Sequence, residues 1–160
     1  MNLSQKIAAA VEAQPESGGF PRSVSAEHED NALTLQLTAA GPVGLAFDSL
    51  TFTTKARAEW SAEALRNWGD HVAKTLSYLM EPLVVLEQDP IAGEVELRSQ
   101  SPTGRAGARS FYEIRLQRSG TLTLSRVSFD ETTRKRRHVP CQLTGEVIER
   151  LTDDLVASVA

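Results

Sequence analysis

Apolar and polar residues recur along the chain with periods that switch between two and about three and a half, and the switches mark its elements. Near the start, Leu3, Ile7 and Val11 stand four apart beside Ala8 and Ala10, one apolar stripe on a short helix. Pro15 and Gly18-Gly19 end that stripe. Three strands are then predicted. The first, 22–28, has a weak pattern. In the second, 32–38, Leu33, Leu35 and Leu37 alternate with Thr34, Gln36 and Thr38. The third, 43–54, follows a Gly41-Pro42 turn. There Val43, Leu45 and Phe47 point one way and Leu50 and Phe52 the other, so the phase change at Asp48-Ser49 predicts a β-bulge or a change of partner.

A central helix follows. Ser61 is suited to be its N-cap, and Trp60 and Leu65 occupy the positions of a hydrophobic staple. Leu65, Trp68, Val72, Leu76 and Leu79 form one face, and Pro82 is the expected stop. Leu83 to Leu86 is an apolar run that reads as a strand buried on both faces. Val95 and Leu97, then Tyr112, Ile114 and Leu116, alternate with charged or amide residues, and 101–108 has loop composition. Ser119-Gly120 is a two-residue hairpin signal before Leu122 and Leu124. Val127 and Phe129 are out of phase with that pair, which predicts a second bulge near Ser125-Arg126. A turn at Asp130 to Thr133 leads to an edge-like strand, 134–141, that Pro140 helps to end. Thr144 caps a last helix carrying Val147, Ile148, Leu151, Leu155 and Val159, with Leu143 and Ile148 as a staple pair.

The order is α-βββ-α-βββββ-α. Strands apolar on one side and polar on the other predict an α+β domain, 1–160, with a curved antiparallel sheet and helices packed on one face. Composition adds limits rather than a function. The chain has 160 residues, 41% apolar and 24% charged, which suits one globular core. No apolar run approaches the about 20 residues of a membrane span. The charged, Ala-rich first dozen residues read as helix rather than as a signal peptide. Cys141 is the one cysteine, so no internal disulfide forms; a reducing compartment, and hence the cytoplasm, is the expected location.

Candidate chemistry is sparse. His28, His71 and His138 share no metal-ligand spacing, and Asp70 and His71 are adjacent on a helix and diverge. His138 stands three residues from Cys141 on a strand, which places the two on opposite faces, so an activated thiol is not expected. No nucleophile elbow, phosphate loop or dinucleotide fingerprint occurs. Glu94 and Glu96 share a strand face that looks solvated, so nothing moves their titration toward acid–base work. No catalytic, cofactor or metal residue is assigned.

Charge is laid out unevenly. Between Arg98 and Arg137 nine arginines and one lysine face three carboxylates, a local charge of +7; the chain as a whole carries −4, leaving −11 elsewhere. One reading pairs these arginines with Glu94, Glu96 and Glu113, or with the acidic last helix. The other gives them to a protein partner, because arginine is enriched and lysine depleted at interfaces. The candidate partner-binding residues are Arg115, Arg126, Arg134, Lys135, Arg136 and Arg137.

In size, acidic total charge and the order helix, three strands, helix, strands, helix, the chain resembles the secretion-chaperone type of α+β fold, with at least two extra strands between 93 and 141. The resemblance implies a small acidic dimer that holds an extended segment of a client protein. The leading expectation is therefore a non-enzymatic protein-interaction module acting through the open sheet face or the last strand. A rival is a small-molecule carrier or small enzyme with a pocket between sheet and central helix, lined by Trp68, Phe47 and Phe52. A third is weak nucleic-acid binding through the run 134–137.

Overall fold

A computed structural model describes residues 1–14, 19–41, 44–79, 83–99 and 107–160, together with the backbone of 103–105. Pro15, Gly18, Pro42, Val43 and Pro82, which the sequence assigns to element ends and turns, lie outside the described residues.

The elements run α1 (Leu3–Glu12), β1 (Arg22–His28), β2 (Asn31–Ala40), β3 (Leu45–Thr54), α2 (Ala62–Thr75), a single 3₁₀ turn (Ser77–Leu79), β4 (Leu83–Asp89), β5 (Glu94–Ser99), β6 (Thr103–Arg105), β7 (Ala108–Gln117), β8 (Thr121–Asp130), β9 (Arg136–Val139), β10 (Cys141–Leu143) and α3 (Gly145–Ser158). The expected order holds. Two short strands are added to its last block: β6 arises inside the segment read as loop, and the expected last strand divides at Pro140 into β9 and β10.

All described strands join one antiparallel sheet in the order β1-β2-β3-β8-β7-β5-β4, with β6 on β7, β9 on β8 and β10 on β3. Helices cover one face only. Helix α1 lies on β1 and β2, α2 on β4, β5 and β7, and α3 packs against α1 and α2. A single apolar cluster joins α1 (Ile7), α2 (Leu65, Val72), α3 (Leu151, Leu155) and the inward residues of the strands. Helix α2 lies close to the sheet because Gly69 has no side chain: a Cβ there would stand 3.1 Å from Val95 Cγ1. All three helices start on capped N-termini. Ser61 and Thr144 accept from the amides of Ala64 and Val147, and Asn2 with Gln5 forms a full capping box that the apolar pattern did not announce. Helix α2 closes at Leu76 and gives way to the 3₁₀ turn, ahead of Pro82.

Of the two expected bulges, one is present. Leu35 pairs with Leu50 and Leu37 with Phe47, so β3 carries an extra residue at Asp48-Ser49. The slip brings Leu45, Phe47, Leu50 and Phe52 onto the same buried face, which resolves the phase change in the sequence. The second expected bulge, near Ser125-Arg126, is absent: β7 and β8 stay in register from Ala108/Asp130 to Gln117/Thr121. Val127 and Phe129 are out of phase because they serve a different surface. Val127 pairs with Phe111 on the face that carries no helix, and both are buried outside the main core.

Three smaller expectations are corrected. Leu83 to Leu86 is not buried on both faces: β4 is an edge strand, bulged between Val85 and Glu87, and Leu86 is 50% exposed. The β7–β8 connection has three residues rather than two, with Gly120 at φ +88° and its amide donating to the Gln117 carbonyl. Near Ser125-Arg126 the strand changes partner instead of bulging. Strand β8 pairs with β3 through Ser125/Ser49, then with β9 from Arg126/Val139 onward. Strand β3 in turn takes up β10 at Phe47/Cys141. The chain from Arg136 to Leu143 thus lies first along β8 and then along β3, switching at Pro140, where no ladder N–H is lost because proline has none.

Candidate functional site

The face without helices is polar, and its chemistry changes from one side to the other. One row across six strands runs Ser25, Thr34, Thr51, Thr123, Arg115 and Glu96. Hydroxyls occupy β1, β2, β3 and the start of β8; ion pairs occupy β7, β5 and β9.

The ion pairs converge on Glu113. Its position in β7 is only 8% exposed, yet three guanidiniums reach it: Arg136 Nη2 at 2.6 Å, Arg115 Nη2 at 3.6 Å and Arg98 Nη2 at 3.8 Å. Arg98 also binds Glu96 at 3.3 Å and lies over Phe111, 4.7 Å from the ring centre. Arg136 is close enough for a charge-assisted hydrogen bond, Arg115 and Arg98 stand at ion-pair distance, and Arg98 covers the Phe111 ring beside the cluster. Two carboxylates, Glu96 and Glu113, meet three arginines, so the cluster keeps a net positive charge.

The six residues singled out from sequence are not one patch. Arg115 and Arg136 belong to the Glu113 cluster. Arg126 lies on the opposite face, where it pairs in register with Tyr112 and covers that ring at 4.5 Å. Arg137 pairs with Ser128 and so shares the face of Arg126 rather than that of Arg136. Arg134, at φ +57°, and Lys135 occupy the β8–β9 turn and are exposed. Arg134, Lys135 and Arg137 form no ion pair among the described residues. The members that sequence reading missed are Arg98 as a site residue and Phe111. The cross-strand register that brings Arg98 opposite Glu113 is not visible before the strands are paired.

Among the described residues, no group of three or more His, Cys, Asp or Glu side chains could hold a metal ion. Burial pushes the Cys141 thiol up to about 12, Asp48 adding to the effect against the opposing Arg126 charge. Trp68, Phe47 and Phe52 are core residues, 2%, 0% and 0% exposed, and α2 rests on β5 at Gly69 with no gap there for a ligand. The Trp60 and Trp68 rings stack at 4.6 Å, and the groove of about 480 Å³ beside them, at the ends of α2 and α3, is bordered by Arg57, Asn67, His71 and Ser158. No helix of the described residues is long and apolar enough to cross a membrane. No protein-family model matches the chain, and no curated protein or solved structure shows significant similarity to it.

Proposed function

We infer that the chain is a non-enzymatic protein-interaction module that receives a partner at the arginine-bearing end of its sheet. The supporting observation is the state of the cations. Glu113, nearly buried, already takes Arg98, Arg115 and Arg136, whereas Arg134, Lys135 and Arg137 stay exposed with no carboxylate of their own among the described residues. Exposed arginines without an internal partner are suited to bidentate capture of carboxylates on another protein. By resemblance to the secretion-chaperone fold, the working form of the module is a small acidic dimer holding an extended client segment. Sedimentation velocity, together with co-purification by wild type and by the variant carrying Arg134→Glu, Lys135→Glu and Arg137→Glu, tests the reading. A wild-type complex or dimer that the variant loses supports it. A strict monomer that recovers no protein sinks it.

A further inference from the structure

One edge of β9 pairs with β8, and among the described residues no strand pairs with the other. The Lys135 carbonyl accepts from the Asp130 amide at 3.0 Å, so it faces β8. Backbone groups alternate along a strand, so those of Arg137 and Val139 also face β8, and those of Arg136 and His138 face outward. The free edge therefore offers two N–H and two C=O groups in strand geometry. Acidic groups of the same hairpin are already engaged: Asp130 Oδ1 accepts from the amides of Thr132 and Thr133, and Glu131 pairs with Arg109. Among the described residues, Arg134 and Lys135 of the turn and Arg137 of β9 have no ion pair. Past Pro140 the surface turns apolar, with an open depression of about 480 Å³ beside β10 bordered by Ala39, Ala46, Leu45 and Leu143.

We propose that the β9 edge takes an extended acidic segment of a protein partner as an added strand. This rests on the interaction-module reading and names the partner's chemistry and the mode of capture. The backbone of Arg136 and His138 supplies the ladder, the three free cations select carboxylates, and the depression beside β10 takes an aliphatic side chain of the segment. Charge complementarity chooses the occupant. A second copy of the chain is a poorer fit, because its acidic α3 is helical and its acidic edge strand β4 is broken by the bulge at Leu86. Nucleic acid is a poorer fit as well. Arg136 and Arg137 point to opposite faces, Phe111 and Tyr112 are buried, and Phe129 is the one partly exposed ring in register with β9, so successive bases find no run of rings to stack on.

Fluorescence anisotropy with three labelled probes tests the proposal: a peptide alternating glutamate and valine, one alternating lysine and valine, and oligothymidine. The glutamate peptide is expected to bind and the lysine peptide not. The Arg134→Glu, Lys135→Glu, Arg137→Glu variant should weaken binding by about tenfold or more. His138→Pro removes one outward N–H without touching the β8 ladder and should weaken binding about as much, while His138→Ala stays within about twofold. Far-UV circular dichroism confirms that each variant is folded. Charge-sensitive binding that His138→Pro leaves intact overturns strand addition alone and spares the interaction-module reading. Preference for oligothymidine, or no peptide binding at all, overturns both. A wild-type dimer that excludes the glutamate peptide assigns the edge to a second copy and overturns the proposal.

Discussion

Arg136 Nη2 stands 2.6 Å from Glu113 Oε2, so a side chain of β9 reaches across β8 to bind a strand on its far side. The contact fastens a four-residue strand that otherwise has one neighbour.

Glu113→Ala deprives Arg115 and Arg136 of their carboxylate and leaves Arg98 with Glu96 alone. The arginines are a third to a half exposed, and solvent screens much of their charge, so the expected loss is about 1–2 kcal/mol rather than the larger cost of a fully buried pair. Urea unfolding measures it. Hydrogen exchange should show the loss concentrated at β9; uniform deprotection would mean the cluster stabilises the sheet in general.

Gly120→Ala is expected to be worse than its size suggests. The residue has φ +88°, and an added Cβ would stand 2.5 Å from the Thr54 carbonyl oxygen, while Thr54 N–H donates to the Gly120 carbonyl at 2.9 Å. Strain and displacement together predict a loss of about 1–3 kcal/mol, read as a lower Tm by calorimetry. An unchanged Tm contradicts this account of the turn.

Cys141 is fully buried and its thiol is raised from 9.0 to about 12. The folded state therefore holds this proton more tightly than the unfolded chain. Its contribution is fully present below pH about 9 and is lost as the pH rises from there toward about 12. A thiol reagent at pH 8 should leave the native protein unlabelled and react at the rate of unfolding; fast labelling would refute the burial.

Trp60 and Trp68 stack with their planes 21° apart, and Trp68 Nε1 donates to Ser158 Oγ at 2.9 Å, joining α2 to the end of α3. Coupled indole transitions should give a paired positive and negative circular-dichroism band. Trp68→Phe should abolish that band and cost about 1–2 kcal/mol. Its survival would assign the band elsewhere.

Much of this fold could be read from the period of its apolar residues. Leu33, Leu35 and Leu37 named a strand and its buried face, and Leu65, Trp68, Val72 and Leu76 named a helix. The bulge at Asp48-Ser49 was legible because it shifts apolar residues that all face one core. Val127 and Phe129 misled because the same phase shift arises when a second apolar cluster forms on the other face. The candidate site was half legible. Arginine-rich composition flagged the segment, but which face each cation takes depends on register and on the partner change at Pro140. Those are relations between strands far apart in sequence, and local pattern does not hold them.

The partner change at Pro140 also sets an order of assembly. Strand β3 is complete at Thr54, yet its second edge is covered only by β8 and by β10, which ends at Leu143. A nascent chain emerging from the ribosome exposes that hydrogen-bonding edge until most of the polypeptide has been synthesised. The closing contacts are among the longest in sequence, and such contacts form slowly. Truncation before β10 should therefore yield a species that aggregates through β3, even though β1 to β3 already form a continuous meander.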